Sequence, residues 1–121
     1  MRLKSLGIIL ATAFMLICSV SSYAFHVYVV NGTSYQLNGF MFPNEVGFGS
    51  NVFPNTYKEL PARLANLIPN TTGNVTFVAN KSNVHENEMC PNVHFGHSYT
   101  VITIGPTRTD PDTFNCRIST L

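Results

Sequence analysis

SYTVITI (98–104) and TFNCRIST (113–120) flank GPTRTDPDT, a run of turn-forming residues, and their reading decides the fold. In the second stretch Phe114, Cys116 and Ile118 alternate with Asn115, Arg117 and Ser119. Strict alternation marks a half-buried strand, because successive side chains leave opposite faces of the pleat. Gly105, Pro106, Asp110 and Pro111 favour turns, so the two strands are expected to pair as a long-looped hairpin. VTFVAN (75–80) repeats the pattern, with Val75, Phe77 and Ala79 against Thr76, Val78 and Asn80.

Upstream, FHVYVVNGTSYQL (25–37) holds two β-branched and aromatic runs around Asn31-Gly32. Asn-Gly between such runs is a strong hairpin signal, since a type I′ turn needs positive φ at both central residues. Strands near 25–30 and 33–38 are therefore expected to pair. From Asn38 to Asn55 the chain is dense in Phe, Gly, Asn and Pro without a sustained period, which predicts irregular structure. Thr56 and Glu59 have capping-box spacing, and Leu60, Leu64, Leu67 and Ile68 share a helical face, predicting one short helix within about 57–68 that Pro69 stops. Five short strands and one inserted helix predict a mainly β fold: a small antiparallel β-sandwich or open barrel.

The N-terminus has Arg2 and Lys4, an apolar run from Leu6 to Val20, and Ser22 and Ala24 as small residues before a cut. That order is the signature of a secretory signal peptide over residues 1–24, leaving one β-rich domain over 25–121 in the periplasm or outside the cell. The apolar run falls short of the roughly 20 residues that a spanning helix needs, and no later segment is long enough. Ile17 before Cys18 argues against lipid attachment. Removing the leader takes two of seven basic and none of six acidic residues, leaving 5 − 6, a net charge of −1. Lys58, Arg63, Lys81, Arg108 and Arg117 are scattered along the chain, so a nucleic-acid partner is not expected.

Two cysteines remain, Cys90 and Cys116, and an even count in an exported chain predicts a disulfide. The competing reading is a free Cys90 acting as ligand or nucleophile beside His94 and His97.

Two segments are candidates for chemistry. HENEMCPNVHFGH (85–97) gathers His85, His94 and His97 with Glu86 and Glu88, a donor set suited to zinc or copper. The plainer reading is a histidine-rich polar connection, since a spacing of three shares a face on a helix but not on an extended chain. Phe40, Met41, Phe42, Phe48 and Phe53 could present a ligand or partner loop, or fold back to cap a sandwich. Nucleophile-elbow, phosphate-loop and zinc-protease motifs are missing, and no cofactor is expected.

The expectation is an exported, non-catalytic β-domain that binds an unknown protein or small-molecule ligand through its loops. A zinc or copper protein and a small secreted hydrolase or toxin-like effector are the alternatives. Asn31, Asn70, Asn74 and Asn80 begin glycosylation triplets, although in a chain this rich in Asn, Ser and Thr such triplets arise by chance.

Overall fold

A computed structural model describes residues 25–82 and 84–121, so the export signal read in residues 1–24 lies outside the described residues. In β1 (His26–Asn31), Val27, Val29 and Asn31 are buried while His26, Tyr28 and Val30 are half-buried on the other side. That alternation fixes which face of the strand meets the core. β1 does not pair with the next strand, β2 (Gln36–Phe42), and the expected hairpin is corrected. The chain instead crosses from one sheet to the other at Asn31-Gly32. Asn31 points inward, where its amide nitrogen donates to the carbonyls of Tyr35 (2.6 Å) and Val52 (2.8 Å), and its Oδ1 accepts from the Thr33 N–H (2.8 Å). One buried side chain thus supplies the hydrogen bonds that the backbone loses on leaving its ladder. Gly32 passes close to the Ile104 carbonyl, which lies 3.2 Å from where a Cβ would stand.

The two sheets have four strands each, β4-β1-β7-β8 and β3-β2-β5-β6. The additional strands are β3 (Val46–Phe48), β4 (Thr56–Glu59), β5 (Thr72–Lys81), β6 (Val84–His94), β7 (Tyr99–Pro106) and β8 (Phe114–Thr120). β7 and β8 pair antiparallel from Thr100↔Thr120 to Pro106↔Phe114, as their alternation predicts. All other pairs are antiparallel except β1 with β7, which runs parallel from His26↔Tyr99 to Asn31↔Ile104. The result is a small β-sandwich.

Residues 57–60 are not helical: Tyr57 to Glu59 belong to β4, hydrogen-bonded to β1, and the Thr56 hydroxyl donates to the Phe53 carbonyl instead of capping a helix. Pro61 then starts a single α-helical turn, α1 (Ala62–Ala65). Leu60, Ala65 and Ile68 are buried and Leu64 packs against the core, whereas Leu67 is exposed.

Two bulges account for the segments without a period. In β2, Gly39 and Phe40 together oppose one residue of β5, and Gly39 takes φ +62°, a conformation that favours glycine. Leu37 and Phe40, three apart, therefore both face the core. In β6, Pro91 and Asn92 oppose the single Asn74, whose Oδ1 accepts from the Asn92 N–H (3.1 Å). Cys90 and Val93 in turn both face inward. The stretch read as a polar connection is an eleven-residue edge strand.

Phenylalanines run through the core as a chain of contacts. Phe40 lies 5.4 Å from Phe77, 6.0 Å from Phe48 and 6.4 Å from Phe42, while Phe77 meets Phe114 at 6.4 Å and Phe42 meets Phe95 at 6.1 Å. Cys90 of β6 and Cys116 of β8 form a disulfide with Cα atoms 5.7 Å apart, joining one sheet to the other.

Candidate binding face

The segments singled out in the sequence are largely consumed by the fold. Phe40, Phe42 and Phe48 fill the core and offer no surface to a partner, which corrects the reading of that stretch as a binding loop; Met41 and Phe53 alone of the five are exposed. His85 and His94 lie toward opposite ends of β6, nine residues and so about 30 Å apart along an extended strand. His85 Nδ1 pairs with Asn80 Oδ1 (2.5 Å) and His94 Nδ1 with the Thr72 hydroxyl (2.8 Å), each a cross-strand contact, while His97 lies beyond β6 in the turn before β7. The three do not converge, and among the described residues no group of three or more His, Cys, Asp or Glu could hold a metal ion. Glu86 and Glu88 turn instead to Lys81, at 3.0 and 3.7 Å. Of the acceptor triplets, Asn31 is fully buried and its amide is spent on two carbonyls, so a glycan there is incompatible with this fold; Asn70 and Asn74 are exposed.

Lys81 anchors the β7–β8 loop. Its ammonium lies over the Phe114 ring, 4.7 Å from the centroid, and donates to the Asp112 carbonyl (2.5 Å); the Tyr35 hydroxyl donates to Asp112 Oδ1 (2.5 Å). Asp110 takes the Asp112 N–H and the Thr113 hydroxyl, and these two hydrogen bonds hold its carboxyl below the usual carboxylate range. Tyr35 is shifted upward, first by its bond to Asp112 and then by burial. Burial pulls Lys81 down, but its bond to Glu86 and the charges of Glu86, Glu88 and Asp112 outweigh that and leave it raised.

A group whose pKa rises on folding stabilises the fold below its unfolded value and loses that contribution as pH rises through the folded one. Both Tyr35 and Lys81 therefore favour the clasp up to about pH 10 and release it above. Asp110 works on the acid side, its contribution disappearing as pH falls below about 4. In an NMR titration of labelled tyrosines, the Tyr35 phenol should ionise above the ordinary tyrosine value. Asp112→Asn should bring it back toward that value; an unmoved Tyr35 would contradict the clasp.

The most distinctive exposed surface is the outer face of the β4-β1-β7-β8 sheet. Register places two full rows across it: Glu59, Tyr28, Val101 and Ser119, then Tyr57, Val30, Thr103 and Arg117. Tyr57 is 66% exposed and meets Tyr28 edge-on at 6.2 Å. His26 stacks on the other side of Tyr28 at 6.2 Å and is paired with Glu59, while Tyr99 lies beside His26 in register. β1 and β7 are the central strands, so backbone donors and acceptors there are already used. What this face offers is aromatic rings, hydroxyls, the paired His26 and Glu59, and one guanidinium. The row from Tyr57 to Arg117 spans three strand spacings, about 14 Å.

At the far end of this face Gly32, Thr103, Gly105, Pro106, Arg108, Asn115 and Arg117 enclose an open notch of about 470 Å³. Across the sandwich, Gly39, Thr76, Val78, Asn87 and Met89 line a shallow trough of about 430 Å³ that has neither a cation nor an aromatic side chain open to solvent.

No protein-family model, curated protein or solved structure matches the chain. Among the described residues no helix is long and apolar enough to cross a membrane.

Proposed function

We propose that this is an exported, non-catalytic β-domain that binds a saccharide across the outer face of its β4-β1-β7-β8 sheet. The observation that carries the reading is the solvent-facing group of Tyr28, Tyr57 and His26, which spans the central strand β1 and its neighbour β4. A tyrosine ring offers an apolar face to the C–H side of a pyranose, and its hydroxyl stays available to the sugar's edge. Extended peptides dock on an open strand edge and helices in an apolar groove; the centre of this face provides neither. Binding rather than catalysis fits the use of the acidic residues, since Asp110 and Asp112 hold a loop and Glu59 pairs with His26. Export is supported by the leader-like N-terminus and by a disulfide, a bond that persists in oxidising compartments.

The test uses residues 25–121 against neutral and acidic oligosaccharides by titration calorimetry. Tyr28→Thr and Tyr57→Thr keep a strand-favouring residue at each position. Together they should weaken binding about tenfold with the melting temperature nearly unchanged. Full affinity in the double variant would overturn the reading.

A further inference from the structure

Arg108 and Arg117 are nine positions apart in the sequence, and the fold brings them to one notch. Arg117 is fixed on β8 by its register with Thr103, whereas Arg108 comes from the β7–β8 loop. Among the described residues neither guanidinium has a carboxylate within ion-pairing distance. The loop's own acids are turned away: Asp110 is held by the Asp112 N–H and the Thr113 hydroxyl, and Asp112 by Tyr35. Two glycines, Gly32 and Gly105, contribute no side chain to the notch, and a Cβ at Gly105 would meet nothing within 4 Å. Thr103 and Asn115 add a hydroxyl and an amide. The notch therefore combines two unneutralised cations, two uncharged polar groups and room for a ligand group.

A planar guanidinium matches a carboxylate or sulfate with two parallel hydrogen bonds, and two of them acting on one anion select charge as well as shape. We propose that this notch binds the acid group of an acidic saccharide, a uronate or sulfate, whose adjoining sugar rings lie on Tyr28 and Tyr57. The proposal rests on the saccharide reading of the face and adds the ligand's charge. Arg117 belongs to the same row as Tyr57, so one short oligosaccharide reaches both. A single sugar does not.

Calorimetry of residues 25–121 with hexagalacturonate, neutral maltohexaose, hexaglutamate and sodium sulfate tests it. Hexagalacturonate should bind more tightly than maltohexaose, and added salt should reduce the difference. R108Q/R117Q should weaken hexagalacturonate at least about tenfold and maltohexaose by far less, so that the preference for the acidic chain is lost. Both arginines are exposed, so the variant should melt as the parent does. Sodium sulfate should compete weakly with hexagalacturonate and not at all with maltohexaose. Equal hexagalacturonate affinity in parent and R108Q/R117Q overturns the notch; if the tyrosine variants still lose binding, the face survives without it. Tighter binding of hexaglutamate would replace the saccharide with an acidic peptide, and no binding of any probe would overturn both proposals.

Discussion

Replacing Cys116 with serine is expected to lower the stability of the domain by about 3.5 kcal/mol, the chain entropy regained when a loop of this length opens in the unfolded state. For a domain of this size that corresponds to a fall in melting temperature of roughly 15 °C or more. The bridge connects β6 to β8, edge strands of different sheets whose remaining contact is side-chain packing. Its loss should therefore loosen that side of the sandwich first. Amide exchange should quicken in β6 and β8 before β1 and β2. Thiol titration of denatured, unreduced protein gives the complementary result: no free thiol from Cys90 and Cys116 where the bridge has formed, and two where it has not.

Phe40→Ala is expected to cost about 3 to 5 kcal/mol, the range for removing a large buried ring. Phe40 is 1% exposed and touches Phe42, Phe48 and Phe77, so its removal opens a void between three rings. Phe53→Ser, from the same aromatic stretch but at 51% exposure, should change stability by no more than about 0.5 kcal/mol. Parallel urea denaturation of the two variants separates core from surface. Similar small losses in both would show that Phe40 is not the centre of the core. Because neither residue belongs to a strand of the β4-β1-β7-β8 sheet, saccharide affinity should survive in both at temperatures where they are folded.

The strands that keep a period of two were legible, and those that break it were not. β5, β7 and β8 follow the alternation of Val75-Phe77-Ala79, of SYTVITI and of Phe114-Cys116-Ile118. The second half of β2, beyond the strand expected near 33–38, and all of β6 were hidden by one inserted residue each. At Gly39 and at Pro91-Asn92 the inward positions jump by three, so neither a strand nor a helix template fits. Glycine within an apolar run, and proline beside asparagine, are the residues that mark such bulges. Asn31-Gly32 misled for another reason: local turn chemistry is satisfied equally by a hairpin and by a crossing between sheets. The choice is made by β4 and β7, which flank β1 on both sides and leave no room for β2.

Of the site, little was visible in advance. Tyr28 and Tyr57 come from strands 29 positions apart, and Tyr57 sat inside a stretch with helical spacing. Arg108 and Arg117 looked like scattered charges because their proximity depends on the hairpin register. The disulfide was the exception, since residues 25–121 hold only two cysteines, Cys90 and Cys116, and two cysteines allow one intramolecular pairing.

Chemical-shift mapping of ¹⁵N-labelled residues 25–121 with hexagalacturonate is the most direct measurement. Saccharide binding across the first sheet predicts that Tyr28, Val30, Tyr57, Val101, Thr103 and Arg117 move together with a single affinity, while Met41, Thr76 and Met89 on the opposite face stay still. Movement of Met41, Thr76 and Met89 with a silent tyrosine face, or no movement at all, would contradict it.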